Sequence, residues 1–351
     1  HPHPLSRRQR QMCIRDRDPF NAHKIAVAPM MDWTDRHCRA FHRLLAPGAM
    51  LYTEMVTADA IIHGQRERLL GGAHVAAGDT RVVLQLGGSD PDRLAEAIHL
   101  AEPWGYAEYN LNVGCPSDRV QSGRFGACLM AEPELVARCI EAMITAAGDK
   151  PVTVKCRIGI DDMDPEEGLN RFAETVAGAG VRHFIIHARK AWLNGLSPKE
   201  NRSIPPLDYD RVARLRDDFP HLGISINGGI ATVEDAAAMA DDFTGVMIGR
   251  AAYQHPYTLA RMAAAIHGHD TKDRFETARA MADYAATAMA DGTRLIAITR
   301  HMLGLMAGLP GARGWRRTLS EEARPDTASP ELILHATDAV EAAVNSRTLA
   351  A

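Results

Sequence analysis

Eight short apolar runs rich in β-branched residues constrain this chain most: KIAVAPM (24–30), LYTEM (51–55), RVVLQLG (81–87), AEYNLNVG (107–114), PVTVKCRIG (151–159), RHFIIHA (182–188), GISINGG (223–229) and GVMIGR (245–250). Amphipathic stretches separate most of them. Behind the N-cap pair Ser89-Asp90, the residues Leu94, Ala97, Ile98 and Ala101 recur on one helical face. Leu135, Val136, Cys139, Ile140, Met143 and Ile144 repeat the pattern, as do Leu169, Phe172, Ala173 and Val176 ahead of Gly178 and Gly180. Strands that are apolar throughout are covered on both faces, which calls for a parallel sheet with helical crossovers. Eight such units predict an α/β fold, a (β/α)8 TIM barrel, rather than an open doubly wound sheet. No G-x-G-x-x-G follows the first run, so a Rossmann domain is not indicated.

The rhythm changes near residue 260. Helical periodicity continues at 272–290, 294–308 and 330–344, and Leu309-Pro310-Gly311 separates the second of these from the basic segment ARGWRRTLSEEAR (312–324). The expected organisation is a barrel over 23–260 followed by a small all-α domain over 261–351. Residues 1–22 carry five arginines among His, Pro and Gln without apolar period, and read as a disordered or non-native leader. They lack the apolar stretch of a secretory signal, and Asp16 and Asp18 argue against a transit peptide.

Composition narrows the function classes. Forty basic against forty-four acidic side chains give a formal charge of −4, which excludes a protein that coats nucleic acid by bulk charge but allows a local basic patch. Aromatics are 5%, too few for a surface of many stacking platforms. The six cysteines (13, 38, 115, 128, 139, 156) form no C-x-x-C pair and predict reduced thiols in a cytoplasmic protein. No apolar run approaches the ~18 residues of a membrane span.

In a barrel of this kind the active site lies at the C-terminal ends of the strands. The runs end in Pro29-Met30-Met31-Asp32, Glu54, Gln85, Asn110 and Asn112, Lys155 and Arg157, His187 and Arg189, Asn227, and Gly249-Arg250. Each has a bland explanation singly: Gln85 capping a helix, His187 satisfied in the core, Lys155 paired with a carboxylate. Together they predict one shared polar ligand. The glycines of INGGI (226–230) and IGRAA (248–252), each just before a helix, mark a phosphate site. A lysine inside the apolar strand VTVKCRIG calls for an anion. Cys115, on a glycine-containing loop, is placed to give a proton to substrate, unlike Cys139 on an apolar helix face. Cys156 points away from Lys155 by strand alternation.

APMMDWTDRHCR (28–39), LYTEMVTADAIIHG (51–64), QLGGSDP (85–91), NLNVGCPSDRVQSGRFGACLM (110–130), VTVKCRIGIDD (152–162), FIIHARKAWLNGLSPKENRSIPPLDY (184–209), SINGGI (225–230) and GLPGARGWRRTLSE (308–321) resemble the tRNA-dihydrouridine synthases, most closely their bacterial A subfamily. The resemblance runs from about Ile25 to Ser320. It implies an FMN-bearing barrel with a helical tRNA-binding domain. FMN would lie against Pro29, Met30 and Met31, with Gln85 and Lys155 at the ring and His187 nearby; its phosphate would take Asn227, Gly228, Gly229, Gly249 and Arg250. Cys115 occupies the position of the catalytic cysteine. NADPH would reduce FMN, hydride would pass to C6 of a uridine, and Cys115 would protonate C5, giving 5,6-dihydrouridine at U20 and U20a of the D-loop.

RNA contacts are expected from Arg189, Lys190, Lys199 and Arg202 after the sixth run, and from Arg300, Arg313, Arg316 and Arg317 in the helical part, with Asn112 at the uracil edge. The expected partner is tRNA, met by a monomer that needs neither metal nor membrane. An FMN barrel acting on a free small molecule, like the dihydroorotate dehydrogenases, is the alternative; it gives no reason for ARGWRRTLSE. An RNA-binding protein with a vestigial flavin site would not keep Cys115, Lys155 and His187 together.

Overall fold

The computed structural model describes residues 23–71, 81–117, 120–121 and 123–349, so the expectation for residues 1–22 falls outside the described residues. Among the described residues there are nine strands: β1 (Ile25–Val27), β2 (Met50–Tyr52), β3 (Val56–Thr57), β4 (Val82–Gly87), β5 (Glu108–Val113), β6 (Val152–Arg157), β7 (His183–His187), β8 (Gly223–Asn227) and β9 (Gly245–Ile248). Their order is β2-β1-β9-β8-β7-β6-β5-β4-β3, and β2 also pairs with β4, which closes the sheet into an eight-stranded barrel. Every pairing is parallel. Of the expected run 51–55 only Leu51 and Tyr52 are strand, in β2, which pairs through Leu51 with Val82; after a break β3, beyond the run, pairs through Val56 with Leu86.

Side-chain alternation sorts the barrel into two faces. Outward residues such as Ile25, Leu84, Val154, Cys156 and Ile226 are buried against the surrounding helices. The predicted helical faces lie there too: Leu94, Ala97, Ile98 and Ala101 are buried on Pro91–Ala101, whose N-cap is Asp90. Inward residues form a small apolar cluster of Ala26, Ala28, Met50, Tyr52, Val83, Ile185 and Met247, and around it a polar set described below.

Beyond the barrel, Arg274–Ala290 packs against Glu331–Leu349. A second core lies between them, built on Met281, Leu305, Trp315 and Ile333, and it also takes in Phe41 and Leu45 from the helix Arg36–Leu45 and Ala260 from Pro256–His267. The expected helix 294–308 is corrected: the α-helix covers Leu295–Thr299, and turns follow. There the backbone bonds run three residues back, Met302 to Thr299 and Leu305 to Met302, a pitch that still buries Met302, Leu305 and Met306. Gly304 sits so close to the barrel that a Cβ would lie 2.6 Å from the carbonyl oxygen of Gln254.

Candidate active site

A row of amides crosses the inside of the barrel. Gln85 Nε2 donates to Asn110 Oδ1 (2.8 Å), and Asn112 Nδ2 donates to Gln85 Oε1 (2.8 Å). Beneath them Asn110 Nδ2 donates to Thr153 Oγ1 (2.9 Å), and the Thr153 hydroxyl donates to Glu108 (2.5 Å). The other oxygen of Glu108 lies 3.1 Å from His23 Nε2. Buried polar groups are stable when each finds its partner, and the parallel register supplies these neighbours by pairing Gln85 with Asn110 and Asn110 with Thr153. At the top of the row Asn112 Oδ1 accepts the backbone N–H groups of Gly114 (3.0 Å) and Cys115 (2.9 Å). Gln85 and Asn112 are thus engaged with strand and loop, each keeping one amide hydrogen for a ligand.

Cys115 is a free, half-buried thiol, its Sγ 3.5 Å from Ser117 Oγ. The chain returns over it, and Ala127 N–H donates to the Cys115 carbonyl at 2.9 Å. That approach requires Gly126, whose φ is +76° and whose added Cβ would lie 2.6 Å from the same carbonyl oxygen.

Beside this loop stand Lys155 and Arg157 of β6, and His187 of β7. No carboxylate or other side chain bonds Lys155 among the described residues; burial, reinforced by Arg157, pushes its ammonium down to about 8. The ion pair that would have made it structural is therefore missing. Burial, with the charges of Arg157 and Lys155, also holds His187 well below the usual histidine range, so its imidazole is neutral. Arg157 is 4% exposed. Its Nε donates to the Gly114 carbonyl (2.9 Å), and its Nη1 to those of Lys190 (3.0 Å) and Asn201 (3.1 Å). One guanidinium thereby ties the cysteine loop to the long excursion after β7.

The β8 and β9 ends bring Asn227, Gly228, Gly229, Gly249 and Arg250 together. Asn227 Nδ2 donates to the Met247 carbonyl at 2.7 Å, locking the two strands. Gly228 (φ +116°) and Gly229 (φ +73°) turn the chain where a side chain would strike His187 and Leu207. A Cβ on Gly249 would meet nothing within 4 Å, which leaves open space at this point of the cradle.

After β1, Pro29 and Met30 are half-buried and Met31 is exposed. Thr34 holds the turn through Met30 N–H (2.9 Å), and Asp32 N–H donates to Glu54 (2.5 Å), whose carboxyl burial pushes up. Arg300 reaches this loop from the helical part, donating to the Asp32 carbonyl (2.6 Å) and to Asp35 Oδ2 (3.0 Å), while His301 Nε2 lies 3.1 Å from the same carboxylate. Arg300, expected to face RNA, is thus paired with a carboxylate here and joins the helical part to the β1 loop. Lys199 and Arg202, by contrast, are exposed on the excursion after β7, and Arg313, Arg316 and Arg317 on Ala312–Arg317. Their side chains enter no ion pair among the described residues. Trp315 anchors that basic helix by donating to the Met302 carbonyl at 3.0 Å, one residue from His301.

Sequence reasoning placed Arg157 at a strand end but gave it no task, and it missed Gly126, Asn201 and Asp35. The GRFG segment and the N-cap position of Asp35 were the available signals; nothing local marks Asn201.

A solved structure titled TcOYE with pHBA has the same architecture, with a TM-score of 0.50 over 72% of this chain and 90% of that one, at 10% identity. That likeness concerns the fold. Proteins named tRNA-dihydrouridine(20/20a) synthase are far closer: that of Vibrio cholerae is 54% identical, over 88% of this chain and 94% of its own length. Those of Escherichia coli K12 (56%; 89% and 90%) and Shewanella oneidensis (55%; 88% and 91%) match alike. The family model described as Dihydrouridine synthase (Dus) covers residues 26–343, and with it the whole arrangement from the β1 loop to the last helix. The chain belongs to the dihydrouridine synthase family.

Proposed function

We propose that this protein reduces uridine in tRNA to 5,6-dihydrouridine, at U20 and U20a of the D-loop, with FMN bound in the barrel mouth and NADPH as reductant. The observation that carries the reading is the free thiol of Cys115, held by Asn112 beside a buried cation with no counter-ion among the described residues. The substrate follows from the names of relatives that share more than half of their aligned residues with this chain.

The residues present fit FMN. A phosphate has a cradle at Gly228, Gly229 and Gly249, with Arg250 beside it. Pro29, Met30 and Met31 would hold the ring, with Gln85, Lys155 and His187 as its polar neighbours. The orphaned ammonium of Lys155 suits the electron-rich edge of an isoalloxazine, and the neutral His187 adds no repulsive charge there. FMN, when bound and reduced, supplies the hydride that adds to C6 of the uracil.

The remaining work falls to the protein. Cys115 gives its thiol proton to C5: the S–H bond breaks as the C5–H bond forms, and solvent returns a proton to the thiolate. Asn112 fixes the backbone from which Cys115 projects, and its spare amide hydrogen meets the uracil edge. Arg157 keeps the loops on either side of the base in register. The uridine must leave the RNA stack to enter, as bases do in other base-modifying enzymes. Lys199, Arg202, Arg313 and Arg316 hold the surrounding tRNA by its phosphates, a mode that suits a few placed cations on an acidic chain.

The test uses tRNA from cells lacking dihydrouridine but otherwise modified. The FMN-loaded protein is reduced anaerobically with NADPH and mixed with this tRNA, flavin reoxidation is followed, and dihydrouridine is mapped by mass spectrometry. Reoxidation with the product at U20 or U20a is expected. Reduced flavin that persists with tRNA bound overturns the reading, and reoxidation by a free pyrimidine or quinone instead favours a small-molecule oxidoreductase.

A further inference from the structure

Among the described residues the exposed large apolar side chains are Met31, Leu69, Trp192 and Ile204. Three of these stand on loops at the mouth of the barrel, and Trp192 is the aromatic one. Trp192 is 39% exposed, yet its backbone is held at both its N–H and its carbonyl. Trp192 N–H donates to Asn201 Oδ1 (2.8 Å), and Asn201 Nδ2 donates back to the Trp192 carbonyl (2.8 Å). On either side, Ala191 is bridged to Ile160 and Leu193 N–H donates to Asp161 Oδ1 (2.8 Å). Asn201 is fully buried, so an amide within the loop is committed to presenting an indole to water.

The place of this ring is equally defined. Gln121 Nε2 donates both to the carbonyl of Pro116, next to Cys115, and to that of Leu193, next to Trp192 (2.9 Å each). A single side chain thus links the catalytic loop to the tryptophan. The surroundings are cationic: Lys190 Nζ lies 5.9 Å from the ring centroid, and Lys199 and Arg202 stand exposed on the same excursion. The one carboxylate between them, Glu200, is occupied with Ser197. A firmly held π face with one cation beside it and two more exposed on its own loop matches an unstacked nucleobase with its phosphates, and matches a protein or lipid surface poorly.

From this geometry we propose that Trp192 is the stacking platform for an unpaired nucleobase flanking the reacting uridine. The proposal rests on RNA being the substrate. It gives the displaced strand a second foothold, a neighbouring base laid on the indole while the uridine enters beside Cys115.

The test measures affinity rather than turnover. Fluorescein-labelled, dihydrouridine-free tRNA is titrated with FMN-loaded protein carrying Trp192→Ala, Trp192→Leu or Trp192→Phe, and anisotropy gives Kd. A base–aromatic stack is worth about tenfold in Kd, with a range of roughly 5- to 150-fold. The Ala and Leu variants are expected to lose that factor, and Phe to stay within about threefold of the parent. Transcripts with single abasic sites flanking the target then locate the partner: one site should weaken the parent about tenfold and leave the Ala variant unchanged. Ala binding as tightly as the parent, Leu matching Phe, or an abasic loss that is the same in both proteins would each overturn the proposal. If the parent binds tRNA but makes no dihydrouridine, the catalytic reading fails while the stacking result stands; if it makes dihydrouridine and Trp192→Ala binds unchanged, the reverse holds.

Discussion

Asn112 Oδ1 accepts the backbone N–H of Cys115 at 2.9 Å, so a side chain inside the barrel sets the position of the thiol above it. Because Asn112 is itself held by Gln85, the thiol's address is fixed from two strands. Asn112→Ala removes the acceptor for both Gly114 and Cys115. Single-turnover transfer from pre-reduced protein to tRNA should slow about 100-fold, the usual cost of a displacement near 1 Å at a reacting centre. Flavin reduction by NADPH, followed by stopped flow, should remain within twofold of the parent (about 0.4 kcal/mol).

The lone ammonium of Lys155 makes a prediction for the protein stripped of flavin. Its folded-state value is about 8 against an ordinary 10.5, so between these the unfolded chain binds more protons and stability rises with pH. At pH 7 the full penalty, roughly 3 kcal/mol, is in force. Lys155→Met should therefore stabilise the flavin-free protein at pH 7, and its advantage should shrink from pH 8 towards pH 10. Added FMN should shrink it as well, because the anion then offsets the charge. Urea unfolding across pH, with and without FMN, measures all three.

Asp35 joins two tasks that substitution can separate. Its Oδ1 caps Arg36–Leu45 through His37 and Cys38 N–H, while Oδ2 meets Arg300 and His301. Burial works to raise its carboxyl, but the hydrogen bond and charge of His301 and the Cys38 N–H outweigh this and hold it far below the usual range. Asp35→Asn keeps the cap and loses the ion pairs; Asp35→Ala loses both and should be about 1 kcal/mol less stable than Asn. The depressed acid contributes stability above its unfolded value of about 4, lost as pH falls further. Acid unfolding of the parent should thus be steeper below pH 4 than that of the Asn variant.

Arg313 and Arg316 carry no ion pair among the described residues, so their removal should leave thermal unfolding within about 0.5 kcal/mol of the parent. Each alanine should weaken tRNA binding and lower the slope of log Kd against log salt by about 0.7–0.9. An unchanged slope would remove these side chains from the RNA interface.

The strands were legible because parallel strands buried on both faces leave an uninterrupted apolar signature, and their polar ends stand out against it. The mouth was legible for the same reason: Lys155 and His187 are conspicuous in apolar surroundings. What reaches across the chain was not. Arg157 bonds Asn201, 44 residues away, and Arg300 bonds Asp35, 265 residues away. No local period encodes such pairs, and an arginine destined for a carboxylate looks in sequence like one destined for a phosphate. The helix expected at 294–308 failed because a three-residue turn and an α-helix bury nearly the same positions over a short stretch.

The second core has a consequence for biosynthesis. Phe41 and Leu45 belong to the first helix of the barrel, yet they are covered by residues such as Ala278, made 233 residues after Leu45. At about 5–20 residues per second, that part of the nascent barrel waits on the order of 10–50 s for its lid. Throughout that interval the two fully apolar side chains lack this cover, and a chain stalled near residue 260 lacks it permanently. Completion of the second core, rather than of the barrel, decides when those two side chains leave water.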